Sequence, residues 1–382
     1  MPQEKNIEVS VVMPCLNEEE AVGICVRKCK KAFENLDIEG EVLIVDNGST
    51  DRSMEIAEKE GARVVSEPEK GYGSAYLRGF KEAKGEICIM GDADNTYDYS
   101  EIGKFILPLK EGYEFVIGSR FKGTIKKDAM PWPNRYIGNP LITLLLRFFF
   151  RSHLSDAYSG MRAFRKKTYN RMNLISSGME FALEMIVSAL RLNLKIHEVP
   201  IRYLKRKGIS KLSPIMDTWR SVRFMLLFSP NHLFLIPGLS LFILGIVFIF
   251  LFLGDNIVLF GHACGVHMMI VASLFAIIGF QIVNIGFFAK SYSVSQRYIN
   301  KDRMINYLIE HFNLERGILF GLAFFLIGSA VNVKIFLDWI KVDFGPLDKI
   351  RLGIFALTFV AIGIQAIVSA FFLSILHLKR LK

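Results

Sequence analysis

The 382-residue sequence predicts an α/β domain, with a mostly parallel sheet and flanking helices, followed by an all-α domain of four membrane-spanning helices. Three observations carry that reading. Between residues 7 and 94, β-branched runs alternate with segments of helical spacing, the pattern of a parallel sheet wound with helices. Charged residues, 22% of the chain, are concentrated before residue 230 and thin out beyond it. Past that point come four apolar stretches, each long enough for the roughly 20 residues that cross a bilayer.

The elements follow in order. Residues 7–14, "IEVSVVMP", read as a strand stopped by proline, and "EAVGICVRKCKKAFENL" then has helical spacing. "EVLIVD" is a second strand, ended by the turn "NGSTD", which leads into the helix "DRSMEIAEKEG". "ARVVSE" is a third strand, "YGSAYLRGFKEAKG" a third helix and "EICIMGDAD" a fourth strand. These expectations give a soluble domain over 1–213, an interfacial amphipathic helix over 214–230 and a membrane domain over 231–382. The spans fall at 232–254, 266–289, 317–340 and 352–378.

An even number of spans puts both termini on one side. Lys205, Arg206, Lys207, Lys211, Arg220 and Arg223 precede the first span. Lys290, Arg297, Lys301, Arg303 and Arg316 separate the second from the third, and Lys379, Arg380 and Lys382 end the chain. The positive-inside rule places all three groups in the cytoplasm. "MPQEKNIEVS" has no apolar core of a signal peptide, so the soluble domain and both termini are expected to be cytoplasmic. The formal net charge of +10 fits anionic lipid headgroups better than nucleic acid, for which no motif appears. Five cysteines, with Cys25 and Cys29 one helical turn apart, fit packing in a reducing compartment rather than disulfides or zinc. "GHACGVH", with His262, Cys264 and His267, reads as an outer connection rather than a metal site.

Polar residues stand at the carboxyl ends of these strands, where parallel sheets bind ligands: Asn17 and Glu18 after the first, Asp46 after the second, Asp92 and Asp94 after the fourth. Each alone is ordinary turn chemistry. Their convergence on one sheet edge points to a site. Asp-x-Asp there offers two carboxylates to a hard cation, Mg²⁺ or Mn²⁺, that shares them with phosphate oxygens.

Seven blocks in order, "VVMPCLNEEE", "VLIVDNGSTD", "KGYGSAYLRGF", "GDADNTYD", "IGSRF", "DAYSGMRAF" and "RKGISKL", resemble the inverting family 2 glycosyltransferases of GT-A (Rossmann-like) fold. They look like the polyprenyl-phosphate hexose synthases related to dolichol-phosphate mannose synthase, and the four spans resemble the polyprenyl-phosphate glucosyltransferase branch. The resemblance implies a nucleotide-sugar donor, UDP- or GDP-linked, a dolichyl or undecaprenyl phosphate acceptor and a divalent metal. It places Pro14, Leu16 and Glu18 beside the nucleotide, Asp46 at the base edge, and Asp92 and Asp94 at ribose, diphosphate and metal. Arg120, Asp156, Ser159, Gly160 and Arg162 would frame the sugar and acceptor, while Arg202, Arg206, Ser210 and Lys211 would grip phosphates. Two positions depart from the mannose synthases: Thr96 stands where a metal-ligating glutamine is common, so that its hydroxyl is expected to coordinate the metal or hold a water there, and Leu16 stands where tyrosine is frequent.

A phosphate acceptor needs no general base, because its second pKa of about 6 leaves it largely a dianion at neutral pH. "NPLITLLLRFFF" (139–150) and "PIMDTWRSVRFMLLF" (214–228) are candidates for seating in the membrane interface, with a buried core helix as the competitor for the first. Gln281, Asn284, Asn332 and Gln365 within the spans are read as helix-to-helix hydrogen-bonding groups, and Lys334 as snorkelling outward. A homo-oligomer is compatible with the chain. Two other classes compete. A processive polysaccharide synthase would be expected to carry Gln-x-x-Arg-Trp, and none of Trp132, Trp219 and Trp339 sits in such a block. A scaffold or lipid translocator with an inactive domain is opposed by the intact Asp46, Asp92 and Asp94.

Overall fold

The computed structural model describes residues 7–208, 214–254, 257–259, 262–295 and 314–378. Ser210, Lys211, Arg297, Lys301, Arg303, Lys379, Arg380 and Lys382 lie outside the described residues, as do the side chains of His262 and Cys264. The chain divides into two compact units, 1–225 and 226–382.

The first unit is built on seven strands: β1 (Val9–Cys15), β2 (Gly40–Asp46), β3 (Arg63–Ser66), β4 (Ile87–Met90), β5 (Phe115–Ile125), β6 (Arg162–Arg165) and β7 (Ile196–Tyr203), in the order β3-β2-β1-β4-β6-β5-β7. β1 pairs in parallel with β2 and β4, β2 with β3 and β5 with β7, whereas β6 runs antiparallel to both of its neighbours. The first four strands are those the sequence predicts, and the last three extend the sheet beyond them. Val9, Val11, Val12 and Met13 are all fully buried, as expected of a central strand covered on both faces. Because β2 and β4 flank β1 on opposite sides, the order reverses there and opens a crevice at the strands' carboxyl ends.

Helix α1 (Val22–Leu36) buries Val22, Cys25, Val26, Cys29, Ala32 and Phe33, one apolar stripe at helical spacing, against the sheet. Asp37, at φ 51°, ends it in the left-handed region. α2 (Ser53–Lys59) and α3 (Tyr72–Glu82) are each shorter than the sequence pattern. α4 (Gly103–Lys110) precedes β5. In α5 (Asn139–Phe150), Ile142, Thr143 and Leu146 are buried while Leu144 is 61% and Phe148 65% exposed, so the helix is apolar on two faces and only one of them is covered. α6 (Lys166–Met172) and α7 (Phe181–Arg191) follow β6. α8 (Pro214–Leu227) buries Phe224 and Met225 and exposes Trp219.

The second unit holds four helices long and apolar enough to cross a membrane: α9 (Ile236–Phe252, entered through a π-turn from Asn231), α10 (Val266–Ser295), α11 (Leu314–Lys341) and α12 (Ile350–Leu378). A short antiparallel pair, β8 (Ile257–Leu259) and β9 (His262–Cys264), lies between α9 and α10. Small residues bring the backbones together. A Cβ on Gly245 of α9 would stand 2.3 Å from Ala276 N of α10, and one on Gly363 of α12 would stand 2.6 Å from Phe325 N of α11. Between α10 and α12 the hydroxyls of Ser273 and Thr358 are hydrogen-bonded at 2.7 Å.

Candidate functional site

The loops after β1 and β2 are laced together. Asn17, held at φ 51°, accepts a hydrogen bond from Thr50 N (2.7 Å), and its own N–H donates to Ser49 Oγ (3.0 Å). Glu18 N donates to Ser53 Oγ (2.7 Å) and Glu19 N to Asp51 Oδ2 (3.2 Å). Asp46 accepts from Ser49 N at 2.8 Å, which fixes its carboxylate in the turn. Pro14 and Leu16 are half-buried beside this edge, and Glu18 is buried.

Asn47 is a residue that sequence reasoning missed. It is buried, and its amide donates to Glu67 O (2.9 Å) and Glu69 O (2.7 Å) while its Oδ1 accepts from Gly71 N (2.8 Å). Lys70 Nζ donates to its carbonyl at 2.8 Å. One side chain thereby holds the loop before α3 against the β2 turn. The available signal was an asparagine opening a turn directly after a buried strand.

After β4, four tyrosines surround Asp92. Tyr72 and Tyr76 donate to its Oδ1 at 3.2 and 3.4 Å, Tyr99 donates to its backbone carbonyl at 2.8 Å, and Tyr97 Oη accepts from Gly160 N at 2.6 Å. Gly160 closes the other side: a Cβ there would lie 3.3 Å from Asp92 Oδ2 and 3.0 Å from Tyr97 Oη. Burial, and then the charge of Asp94, push the Asp92 carboxyl up to about 7. Asp94 is 5% exposed. Its Oδ1 accepts from the N–H (3.0 Å) and hydroxyl (2.6 Å) of Thr96, and its Oδ2 faces Arg206 Nη1 at 3.3 Å. Thr96, expected as a metal ligand or water holder, thus donates its hydroxyl proton to Asp94 and orients that carboxylate. Arg206 also pairs with Glu18. Two carboxylates, Glu18 and Asp94, share one guanidinium, whose charge is also felt at Asp92.

Arg120 and Asp156 are together but differently arranged. Arg120 Nε and Nη2 donate to Asp156 Oδ2 (2.7 Å) and Oδ1 (2.8 Å), Arg120 N adds a bond to Oδ2 (3.0 Å) and Tyr158 N one to Oδ1 (3.2 Å). Burial works to lower the Arg120 pKa, and the Asp156 charge overrides it and raises it. The guanidinium lies 5.3 Å from the Tyr203 ring centre. Glu198, also unanticipated, accepts from Ser155 N (2.8 Å), Ser155 Oγ (2.7 Å) and Asp156 N (3.2 Å) and pairs with Lys122. Asp156 therefore has four N–H donors and acts on the loop around it.

Two residues expected at the substrates are engaged by the protein itself. Arg202 pairs with Asp98 (3.0 Å) and Glu101 (3.1 Å), away from the Asp92–Asp94 cluster, with 48% of its side chain exposed. Arg162 is fully buried and donates to the carbonyls of Ser159 (2.9 Å), Ala182 (2.5 Å) and Ala157 (3.5 Å), so it braces the "DAYSG" loop from beneath. Cys15, Cys25 and Cys88 are buried, which pushes each thiol up to about 12, and Cys29 is raised for the same reason. They are packing residues.

No group of three or more His, Cys, Asp or Glu that could hold a metal occurs among the described residues. Asp92 and Asp94 still fit a hard cation of the Mg²⁺ class, which takes one or two protein carboxylates and completes its shell with phosphate and water. Asp92 is raised first by burial and then by the charge of Asp94, and Glu18 and Asp94 share the single guanidinium of Arg206.

Residues 10–172 match the family model "Glycosyl transferase family 2", and 287–377 match "Glycosyltransferase family 2 C-terminal transmembrane region". The chain is 38% identical over 366 residues, 96% of its length and 88% of the relative's, to a low-salt glycan biosynthesis hexosyltransferase of Haloferax volcanii. It is 32% identical over 207 residues, 54% of its length and 87% of the relative's, to a dolichyl-phosphate hexose transferase of the same organism. The solved glucosyl-3-phosphoglycerate synthase of Mycobacterium tuberculosis, in complex with Mn²⁺, UDP and glucosyl-3-phosphoglycerate, superposes with a TM-score of 0.46 at 22% identity, over 58% of this chain and 78% of its own.

Proposed function

We propose a substrate pair for this chain, which belongs to glycosyl transferase family 2 as a membrane enzyme with a C-terminal transmembrane region: it moves a hexose from a nucleotide diphosphate sugar to a polyprenyl phosphate, with inversion. The observation that carries this is the excess of carboxylate at the crevice beside β1 and β4, an arrangement suited to a diphosphate only when a cation joins it. The relative named for dolichyl-phosphate hexose transfer supports the acceptor class.

In this reading Pro14, Leu16, Glu18 and Asp46 line the nucleotide, and Asp92 and Asp94 hold Mg²⁺ or Mn²⁺. When bound, the ion neutralises charge on the diphosphate leaving group. Tyr72 and Tyr76 fix one oxygen of Asp92, and Thr96 fixes one of Asp94, so that the remaining oxygens keep a set direction. Arg120 and Asp156 hold the loop before β6 in position for the sugar. Arg206, with Ser210 and Lys211, meets the acceptor phosphate. The acceptor dianion attacks the anomeric carbon directly, no residue takes a proton from it, and a single displacement turns an α-linked donor into a β-linked hexosyl phosphate. The basic flanks support a cytoplasmic site. The exposed apolar face of α5 and the Trp219 face of α8 are assigned to the membrane interface.

The test is to incubate purified full-length protein with a panel of nucleotide sugars, a short polyprenyl phosphate and Mn²⁺, then identify the product by mass spectrometry and its anomer by NMR. A β-linked hexosyl phosphate lipid is expected. An α-linked product, or transfer only to a non-phosphorylated acceptor, contradicts the proposal.

A further inference from the structure

Arg206 lies in the segment after β7 that is drawn back over the site. Leu204 N donates to Thr96 O (2.8 Å) and Lys207 N to Asp94 O (3.1 Å), and these two backbone bonds hang the intervening guanidinium between the loops after β1 and β4. It pairs there with Glu18 on one side and Asp94 Oδ2 on the other. The Asp94 contact, at 3.3 Å, is longer than the roughly 2.7–2.9 Å of a well-formed charge-assisted bond. Arg206 Nε is buried and has no hydrogen-bond partner among the described residues. The guanidinium is thus charged and only partly satisfied where it sits.

Asp94 Oδ1 already takes two donors from Thr96, so Oδ2 is the oxygen left for a divalent ion, and Arg206 is on it. Two cations on one carboxylate oxygen repel each other. We infer that Arg206 competes with the divalent ion for Asp94, and that it leaves Asp94 when ion and diphosphate arrive, which frees the guanidinium for the acceptor phosphate. The inference rests on the reading of Asp92 and Asp94 as the metal pair. It makes the order of binding a property of the chain: before the donor complex forms, the residue meant for the acceptor is engaged by two acids. By linkage, whatever draws Arg206 off Asp94 tightens the ion.

The experiment measures binding of Mn²⁺ alone to the full-length protein, by the EPR signal of free Mn²⁺, in wild type, Arg206→Met, Arg206→Lys and Lys207→Met, each checked for folding by its thermal midpoint. Arg206→Met is expected to bind Mn²⁺ at least about tenfold tighter, a gain of about 1.4 kcal/mol. Arg206→Lys, which keeps the charge, should stay near wild type. Lys207→Met removes the same charge from an exposed neighbour and should change affinity by less than about twofold, the general electrostatic effect of an exposed charge screened by solvent. Unchanged or weaker binding in Arg206→Met, or equal tightening in Lys207→Met, overturns the inference. If Arg206→Met does not fold, amide exchange in wild type decides: Mn²⁺ with UDP or with GDP should speed exchange at Leu204 and Lys207, and no change with either overturns it. Wild type that binds no Mn²⁺ at millimolar concentration, alone or with UDP or GDP, strikes instead at the metal assignment beneath it.

Discussion

Asp156 and Asp94 are both buried aspartates paired with an arginine, and they differ in how completely each carboxylate is satisfied. Asp156 receives two prongs of Arg120 and two backbone N–H groups, so both oxygens are filled and the ion pair is closed. Asp94 receives Thr96 on one oxygen and, at 3.3 Å, a guanidinium shared with Glu18 on the other, and its charge adds to the burial that pushes the neighbouring Asp92 up to about 7. A saturated pair holds a loop in place and has no capacity for a ligand. An under-neutralised set of acids at a sheet edge is unstable on its own terms and is made whole by a cation.

The largest effect that would sharpen this contrast is on stability. Asp156→Asn leaves Arg120 charged, buried and without its counter-ion, which should cost about 3–5 kcal/mol. By differential scanning fluorimetry the midpoint should fall by about 10 °C. An unchanged midpoint with only a raised KM for the sugar would instead make Asp156 a substrate contact.

The open cluster should show itself through pH. The folded-state pKa of Asp92 is raised above the ordinary carboxylate value, so its contribution to stability is complete in acid and is lost as pH rises through about 7. In EDTA, the midpoint of Asp92→Asn relative to wild type should therefore climb between pH 5 and pH 8, and saturating Mn²⁺ should abolish the climb. A flat difference across that range would show that Asp92 is not held up by its surroundings.

Smaller effects separate positioning from contact. Thr96→Val removes the hydroxyl that orients Asp94 and should weaken Mn²⁺ about tenfold, in the range of second-shell changes at metal sites. Arg202→Ala removes a half-exposed pair with Asp98 and Glu101 and should change stability by less than about 1 kcal/mol, with transfer to lipid phosphate within about twofold of wild type. A large rise in the KM for the lipid would return Arg202 to the phosphate site where sequence reasoning put it.

The legible parts of the molecule are those whose signal is local. Asp46, Asp92 and Asp94 announce themselves because they stand at or just beyond the ends of apolar, strand-like runs, and the spans because their length and lack of charge need no partner to be recognised. Strands β5 to β7 were not read as strands. β6 is only four residues, "RAFR", with an arginine at each end, and β7 carries Pro200, tolerated because it is the edge of the sheet. The chemistry that separates Asp156 from Asp94 is not local at all. Arg120 is on β5 and Asp156 is 36 residues later, while Arg206 reaches Glu18 across 188 residues by folding back over the crevice. Thr96 was visible as a departure from a glutamine pattern, but its bond to Asp94 depends on the left-handed turn at Asn95, where φ is 63°.

The central claim is that the cation and diphosphate belong to the open cluster, and Asp94→Asn tests it most directly. The change is nearly isosteric and removes one negative charge. Titration of Mn²⁺ against this variant and wild type, both in the presence of UDP or GDP and followed by EPR, should show binding weakened at least about a hundredfold, in the upper range of effects from removing groups that orient or hold a metal, with the thermal midpoint of the metal-free protein kept or raised. Mn²⁺ bound as tightly by Asp94→Asn as by wild type would place the metal elsewhere and contradict the account.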